Sequence, residues 1–382
     1  MQRCSLWALA VVAAAALSAC GGGGADTTPA AKVTSVKVAG DSLADSGTFG
    51  FKFTVQGTAA TGAGSTPIWP ERAAASYGLS LCPRYLATST TTFASNPNAA
   101  CTNYAVGGGR INNPTAPTSP VSIQKQLQDM GAAGFGAGDL VLVDGGGNDA
   151  ADLIGAYLRV RTDSGATYLA LLGTQLDAAT VNAAAAAGAN GLAAAGATYM
   201  KALATQFATS IRAQTVARGA PRVAVLNMPG VTLTPRFRTV LASIASGSGA
   251  PAAAAAEALF DGWIQAFNAQ LATSLAGDAR IAVVDFYTSF KDQSNNPAQY
   301  QYTNVTTPVC PVTGVGSDGL PTYTFPTCTA AALSAATPPA GATGGADWWK
   351  SYAFSDGFHP TPYAHQQIGQ LLSRSLAQAG WL

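Results

Sequence analysis

The sequence carries little charge. Only 10% of its 382 residues are Asp, Glu, Lys or Arg, the formal net charge is +1, and no stretch concentrates Lys or Arg. Nucleic-acid binding requires a basic patch that neutralises phosphates, so we expect no nucleic-acid partner. Hydrophobic residues make up 48% of the chain, which is too many for a disordered protein and enough for one large core or two small ones.

The N-terminal hydrophobic run is too short to span a membrane. It covers about twelve residues from Leu6 to Leu17, whereas a spanning helix needs roughly twenty. Because Arg3 precedes the run and small residues follow it, we expect an export signal over residues 1–19. The stretch Leu17-Ser18-Ala19-Cys20 resembles a bacterial lipobox, which implies cleavage before Cys20 and a diacylglyceryl group on its thiol. The alternative is an ordinary secretory signal that ends in Cys by chance.

A glycine-rich stretch follows Cys20 and favours the lipoprotein interpretation, because a flexible spacer suits a tethered domain. We therefore expect a lipidated Cys20 and tether over residues 20–31 and a folded domain over residues 32–382. The lipid would make the membrane a partner and place the protein in the cell envelope. Gly21 carries no inner-membrane retention signal of the Asp type, so we expect the outer membrane or cell surface, with secretion as the alternative.

Cysteine is scarce. Of six cysteines, four remain for pairing once the signal is removed and Cys20 carries lipid. They can pair in three ways. An exported compartment permits disulfides, and we favour the two pairings that each close a loop of about twenty residues rich in Thr, Pro and Asn. These pairs are Cys82 with Cys101 and Cys310 with Cys328.

Short runs of β-branched residues alternate with longer helical stretches. Four compact Val/Ile/Leu runs predict strands buried on both faces, at residues 32–39, 139–144, 222–227 and 280–286. Helical patterns are predicted at residues 122–130, 152–218, 252–275 and 362–378. The alternation predicts parallel βαβ units in a three-layer α/β domain. Ligands of such sheets bind beyond the carboxyl ends of the strands.

Two stretches do not fit this pattern. Residues 183–196 are almost entirely Ala and Gly, and we expect either a helical hairpin or a loosely ordered insertion. Residues 308–345 are rich in Pro, Gly, Thr and Ala without periodicity. This composition predicts a long loop held by its disulfide, and long loops in compact enzymes often face the substrate.

A serine follows the first predicted strand, in Gly40-Asp41-Ser42-Leu43. A Ser on a turn beyond a buried strand, flanked by small residues, exposes its hydroxyl and leaves backbone N–H groups free for an oxyanion. The alternative is a simple helix cap, and we expect Asp41 and Asp45 to be turn or cap residues. No GxSxG occurs, which excludes the usual α/β-hydrolase source of a nucleophile.

Two later segments of the sequence carry polar residues that could act together with Ser42. The strand at 139–144 ends in three glycines and Asn148, a neutral donor at the same sheet edge; the alternative is a turn and cap. No GxxxxGK[ST] occurs, so a phosphate cradle is excluded. Near the C-terminus, Asp356 lies three residues before His359 and can orient its imidazole for proton transfer from a serine.

The only other histidine is His365. It lies on the following predicted helix, and we expect it to be a packing or surface residue. With two histidines and no CxxC, we expect no metal site.

Together these segments resemble the SGNH/GDSL hydrolase family. Gly40-Asp41-Ser42-Leu43 matches its first block, Gly108 its oxyanion glycine, Gly146-Gly147-Asn148-Asp149 its third block and Asp356 to His359 its last. Further segments are similar to the bacterial phospholipase/lecithinase/hemolysin-like branch: Ile68 to Glu71, Asn103 to Gly108, Val284 to Tyr287, Asn296 to Tyr300, Asn304-Val305 and Cys310.

The resemblance implies a flavodoxin-like α/β/α sandwich of about five parallel strands and a serine esterase or lipase without a cofactor. Ser42 would attack a lipid or short-chain carboxylic ester and form an acyl-enzyme, with His359 as base and Asp356 orienting it. The backbone N–H groups of Ser42 and Gly108 and the Asn148 side chain would form the oxyanion hole. The alternatives are a carbohydrate O-acetylesterase and a non-catalytic surface lipoprotein.

Overall fold

A parallel sheet of four strands organises the computed structural model, which describes residues 32–59 and 64–382. The expected signal peptide, lipidated Cys20 and tether lie outside the described residues. The sheet strands follow chain order: β1 (Ser35–Ala39), β4 (Asp139–Val143), β5 (Val223–Leu226) and β6 (Ile281–Val284). Each of the four predicted strands contains one of them.

The other elements are short strands and the helices. The strands pair two by two: β2 (Tyr85–Ala87) with β3 (Phe93–Ser95), β7 (Asn304–Pro308) with β10 (Tyr352–Phe354), and β8 (Gly314–Val315) with β9 (Pro321–Thr322). The helices are α1 (Trp69–Ser76), α2 (Ile123–Ala133), α3 (Gly147–Leu158), α4 (Ala166–Leu172), α5 (Ala178–Ala186), α6 (Gly188–Gln214), α7 (Pro235–Ser248), α8 (Ala250–Leu275), α9 (Phe286–Asn295), α10 (Ala330–Ala335) and α11 (Pro362–Gln378). No described helix combines the length and hydrophobicity needed to cross a membrane.

Both faces of the sheet are covered, which confirms the three-layer architecture. All five residues of β4 are buried, and alternate residues belong to different hydrophobic clusters. Val141 and Val143 pack with residues of α2, α6 and α8. Leu140 and Leu142 pack with residues of α1 and α11. Since successive side chains of a strand point to opposite faces, an uninterrupted apolar run is what a central strand of this kind requires.

The sheet has four strands where about five are implied by the resemblance. On the edge of β1 that β4 does not occupy, a single parallel bridge joins Val38 to Asn103. The Asn103 side chain then accepts a hydrogen bond from the Ala105 N–H at 2.9 Å. Beyond this bridge the segment forms no regular strand, although the Val106 N–H still donates to the Gly40 carbonyl at 3.2 Å. The segment around Asn103 therefore lies along one edge of β1 and β4 lies along the other. This is the arrangement at a topological switch point, where ligands of α/β sheets bind.

The two stretches that did not fit the predicted alternation of strands and helices both contain regular secondary structure. Residues 183–196 belong to α5 and α6, so the helical alternative is correct, and Trp263 of α8 donates to the Ala193 carbonyl at 2.9 Å. Residues 308–345 contain the β8–β9 hairpin and α10, so the expectation of a continuous loop is wrong there. These elements are too short to leave a periodic pattern. The disulfides join the four cysteines in the favoured pairs.

Candidate active site

Three side chains from opposite ends of the chain meet beyond the carboxyl end of β1. The Ser42 hydroxyl lies 2.7 Å from Nε2 of His359, and Nδ1 of His359 lies 2.9 Å from Oδ2 of Asp356. Ser42 is 5% exposed and Asp356 is 8% exposed. No described helix begins at Ser42, so the helix-cap alternative does not apply. The geometry is that of a nucleophile, a base and an orienting carboxylate.

The turn that carries Ser42 is fixed by a close approach to β4. A Cβ at Gly40 would lie 1.5 Å from Oδ1 of Asp144, so only glycine fits there. Oδ1 of Asp144 also accepts a hydrogen bond from the Asp41 N–H at 3.3 Å. Burial raises the pKa of Asp144 well above its ordinary value, and the nearby Asp41 carboxylate raises it further. Through these contacts Asp144 fixes the position of the nucleophile turn, a role that we did not foresee from the sequence.

Hydrogen bonds from backbone N–H groups to the Asp356 carboxylate hold the turn that carries His359. Oδ1 of Asp356 accepts the N–H groups of Phe358 at 2.8 Å and of His359 at 2.6 Å. Burial alone would raise the pKa of Asp356, but the positive charge and hydrogen bonds of His359 hold it below its ordinary value. Asp356 is therefore ionised and can stabilise an imidazolium. The Ser355 N–H donates to the His359 carbonyl at 2.7 Å and closes the turn.

Aromatic rings confine the imidazole of His359. The ring of Phe53 lies 5.2 Å from it, centroid to centroid, and the ring of Phe325 lies 5.4 Å from it. Both phenylalanines also contact each other, at 5.5 Å. Neither was a candidate site residue, and Phe53 lies in a segment without regular secondary structure, where no periodic signal marks its position.

Two unpaired backbone donors lie near Ser42. Within the described part of the chain, neither the Ser42 N–H nor the Gly108 N–H has a hydrogen-bond acceptor. Gly108 adopts a φ of 77°, which favours glycine, and its loop approaches the nucleophile turn because the Val106 N–H donates to the Gly40 carbonyl at 3.2 Å. Nδ2 of Asn148 donates to the Gly109 carbonyl at 3.0 Å and retains a second hydrogen. These groups can serve as oxyanion donors.

Buried carboxylates position the two donor loops. Asp45 accepts the N–H groups of Gly47 and Thr48, as expected of a turn residue, and also that of Gly107 at 2.8 Å. Asp149 accepts the N–H groups of Ile111 at 3.0 Å and Asn112 at 2.8 Å. Burial raises the pKa of Asp45 to about 6 and that of Asp149 to about 7.

Two cavities adjoin the triad. A narrow apolar pocket of about 50 Å³ lies behind Ser42 and is lined by Phe286, Phe290, Val305 and Ile368 among others. A roomier cleft of about 840 Å³ is lined by His359, Asn148 and polar side chains. The pocket can take a slender apolar group, whereas the cleft admits bulkier and more polar ones.

The second histidine lies away from the triad. His365 is fully buried, and its Nδ1 accepts the Trp69 N–H at 3.4 Å. Burial lowers the pKa of His365 well below its ordinary value, so it is a neutral packing residue. Within residues 32–59 and 64–382, no group of three or more His, Cys, Asp or Glu side chains could hold a metal ion.

Comparison with known proteins places the chain in a family. No curated protein matches the sequence of the chain. The family model described as GDSL-like Lipase/Acylhydrolase matches residues 36–372, a range that begins within β1 and includes the other three sheet strands and the His359 turn. This match covers most of the chain and includes both the Ser42 turn and the turn from Asp356 to His359. The chain therefore belongs to the GDSL-like lipase/acylhydrolase family, whose members are ester hydrolases of the α/β/α type.

Proposed function

We propose that this protein is a serine esterase that hydrolyses carboxylic esters through an acyl-enzyme on Ser42. The observation that carries the proposal is the 2.7 Å contact between the Ser42 hydroxyl and Nε2 of His359, with Asp356 on the other ring nitrogen. A hydroxyl placed in this way loses its proton to the imidazole as it attacks a carbonyl carbon.

The reaction proceeds in two halves. In the first, a bond forms between Oγ of Ser42 and the ester carbon, His359 takes the hydroxyl proton, and Asp356 stabilises the imidazolium. The ester C–O bond then breaks and His359 returns the proton to the leaving oxygen, so that the alcohol departs. In the second half, water attacks the acyl-enzyme by the same proton transfers and releases the acid. The N–H groups of Ser42 and Gly108 and the Asn148 amide would stabilise each oxyanion.

The narrow pocket behind Ser42 supports an acyl group as its occupant. Its lining is mostly apolar, although Asp41 and Asp144 also line it, and burying an apolar chain there is favourable by about 25 cal/mol for each Å² removed from water. Lipid and simple acyl esters therefore suit the site. The open cleft could admit a sugar as the alcohol part, so an O-acetylesterase remains the alternative substrate class.

The substrate class is tested with p-nitrophenyl acetate, butyrate and palmitate, beside acetylated polysaccharide, using the domain from Asp26 onward and its Ser42→Ala variant. We expect turnover of the p-nitrophenyl esters by the parent and its loss in the variant. Release of acetate from polysaccharide alone would favour the O-acetylesterase. No turnover of any ester by the folded parent would contradict the proposal and favour a binding role.

We further propose that the protein is an envelope lipoprotein anchored through Cys20. The disulfides Cys82–Cys101 and Cys310–Cys328 support an oxidising, exported environment. Metabolic labelling with a fatty-acid probe tests the anchor: the full chain should be labelled and a Cys20→Ala variant should not. An unlabelled parent that is recovered in the medium would favour ordinary secretion instead.

A further inference from the structure

Three successive glycines, Gly107 to Gly109, form the glycine loop beside Ser42, and the close packing around this loop requires them. A Cβ at Gly107 would lie 2.2 Å from the ring of Phe53, and a Cβ at Gly109 would lie 2.8 Å from the Gly40 carbonyl oxygen. Glycine is the least restricted residue in a chain, whereas an oxyanion donor is effective only when it is held in place before the reaction. Contacts from outside the glycine loop must therefore fix its position.

Each of the three glycines is held by a different side chain. The N–H of the first glycine donates to Oδ2 of Asp45 at 2.8 Å, and the carbonyl of the third accepts Nδ2 of Asn148 at 3.0 Å. The carbonyl of the second, Gly108, accepts a hydrogen bond from Nη1 of Arg110 at 2.8 Å. Arg110 therefore contacts the residue whose N–H is one of the expected oxyanion donors.

The guanidinium of Arg110 is itself fixed by a carboxylate. Its Nε and Nη2 donate to the two oxygens of Asp152, at 2.5 Å and 3.1 Å. Such a two-point contact sets the orientation of the guanidinium plane as well as its distance. The backbone of Arg110 is paired with the chain at the start of α2, since its N–H donates to the Val121 carbonyl at 3.0 Å and its carbonyl accepts the Ile123 N–H at 2.9 Å. Both ends of the Arg110 side chain are therefore held.

Asp152 lies on the same helix as another expected donor. Helix α3 carries Asn148 in its first turn and Asp152 four residues later. Residues four apart are neighbours on one face of a helix. The ion pair of Arg110 with Asp152 therefore joins the Gly108 carbonyl to the helix that carries Asn148, and it helps to fix the separation of the two donors.

Stability alone does not explain this ion pair. The side chains of Arg110 and Asp152 are 33% and 42% exposed, and ion pairs as exposed as this contribute little to the free energy of unfolding. Both residues line the open cleft beside His359. An exposed pair that contributes little stability but holds the glycine loop is better explained by an effect on the reaction.

We infer that Arg110, oriented by Asp152, is a positioning residue of the oxyanion hole. Its hydrogen bond to the Gly108 carbonyl keeps the Gly108 N–H directed at the oxyanion that forms when Ser42 attacks. The inference rests on the proposed esterase function and adds to it two residues that act through the glycine loop. Neither residue takes part in bond making or breaking.

The test measures kcat and KM for p-nitrophenyl butyrate in the parent, in Arg110→Met, in Asp152→Asn and in the double variant. In Arg110→Met we expect kcat to fall about tenfold, which is less than the loss expected when a donor itself is removed. The KM should stay within twofold of the parent value, because acylation and deacylation use the same donors and slow together. Asp152→Asn should lower kcat by a smaller factor.

The double variant shows whether the two residues act in series. Because Asp152 acts through Arg110, the double variant should be no slower than Arg110→Met alone. Arg110→Lys keeps the positive charge and one of the contacts, so it should retain more of the parental kcat than Arg110→Met.

A tetrahedral inhibitor separates positioning from a general structural role. When an alkylboronic acid binds, Oγ of Ser42 bonds to boron, its proton passes to His359, and an anionic tetrahedral adduct like the reaction intermediate forms. Analogues of this kind report on the groups that stabilise the transition state. The inhibition constant of butylboronic acid should therefore rise about tenfold in Arg110→Met, in parallel with the fall in kcat.

Arg280→Met is the matched control. Nε and Nη2 of Arg280 contact the two oxygens of Asp278 at 2.9 Å and 2.8 Å, and its Nη1 donates to the Val216 carbonyl at 3.1 Å. This is the same set of contacts as that of Arg110, but it lies just before the first residue of β6, at the end of the sheet opposite to the site. The control should keep the parental kcat and inhibition constant.

The outcomes distinguish this inference from the proposed function. A kcat within twofold of the parent value in Arg110→Met would overturn the positioning role and leave the esterase intact. Additive losses in the double variant, or an equal loss in Arg280→Met, would also overturn it. Should Arg110→Met fail to fold, parental kcat in both Asp152→Asn and Arg110→Lys would overturn it, and a reduced kcat in both would support it. If the folded parent hydrolyses no ester, the esterase proposal itself fails.

Discussion

Phe325 packs edge-on against the imidazole of His359, with ring centroids 5.4 Å apart and the planes at 80°. Phe325 lies between the two cysteines of the Cys310–Cys328 disulfide. The loop closed by this disulfide therefore supplies one of the aromatic rings that contact the His359 imidazole. The same loop is fastened on both sides, because the Gln56 N–H donates to the Cys328 carbonyl and the Cys310 N–H donates to the Ser355 carbonyl, each at 2.8 Å. The disulfide therefore helps to hold His359 in position and also stabilises the folded protein.

We predict that a Cys310→Ser, Cys328→Ser double variant loses activity beyond what its stability explains. Opening the loop lets Phe325 move away from His359, and a small displacement of a catalytic group can reduce kcat by about tenfold or more. Steady-state kinetics well below the unfolding temperature check this. Cys82→Ser with Cys101→Ser is the matched control, because it opens a loop of similar size and should cost a similar amount of stability, about 3 kcal/mol. An equal fall in kcat for both double variants would contradict the prediction.

Asn148→Ala should reduce kcat by about a hundredfold or more, because one oxyanion donor contributes about 2.7–4 kcal/mol to the transition state. The KM should change little, since the charge develops only after attack begins. Thermal unfolding shows whether the loss of the Asn148 bond to the Gly109 carbonyl also destabilises the loop. Asn113→Ala, at a half-buried turn nearby, serves as the control, because it also removes an amide that accepts a backbone N–H. A kcat within threefold of the parent value would exclude Asn148 from the oxyanion hole.

Asp149 makes stability depend on pH. Burial raises its pKa to about 7, from an unfolded value near 3.9, so the folded state binds the proton more tightly. Its stabilising contribution is complete below the unfolded pKa and is lost as pH rises through about 7. We expect the free energy of unfolding to fall between pH 5 and pH 7 by about 1.4 kcal/mol per pH unit on account of this group.

Denaturant unfolding at several pH values, in the parent and in Asp149→Asn, measures that slope. The variant loses a hydrogen bond at every pH, so only the reduced slope is diagnostic. Asp163→Asn is the control, because the pKa of this exposed carboxyl is lowered and lies outside the range. An unchanged slope in Asp149→Asn would refute the assignment. Asp45, with a pKa of about 6, should act in the same direction.

Gly40→Ala should destabilise the protein by about 1–3 kcal/mol or more, because the new methyl group would overlap Oδ1 of Asp144 in a packed interior. Combining it with Asp144→Ala removes the overlapping carboxyl group and should restore part of the loss. Chemical denaturation of the single and double variants tests this coupling. Gly136→Ala has open space for the methyl group and should be nearly neutral. Additive effects of the two substitutions would show that the contact does not limit stability.

The sequence predicts those features that depend on local signals. The helix predicted at residues 362–378 has the same bounds in the structure, since Thr361 caps it and Pro362 occupies its first position. The strands were predictable because a strand buried on both faces needs a continuous apolar run. Ser42, Asp356 and His359 were candidates from the sequence because the chemistry limits which residue types can serve, and the structure brings the three side chains together.

Other features depend on which distant segments pack together, and no local pattern encodes that. The contact of Phe325 with His359 exists only because the Cys310–Cys328 loop folds back over the site. Among the described residues no fifth strand joins the sheet, and only a single bridge links Val38 to Asn103 at that edge, which strand propensity alone does not reveal.

Covalent labelling with a serine-directed fluorophosphonate tests the central claim most directly, because it requires an activated nucleophile and no knowledge of the natural substrate. The folded parent should bind one equivalent of probe, peptide mapping should place it on Ser42, and Ser42→Ala and His359→Ala should remain unlabelled at the same concentration. A folded parent that resists the probe, or one labelled on another residue, would contradict the account.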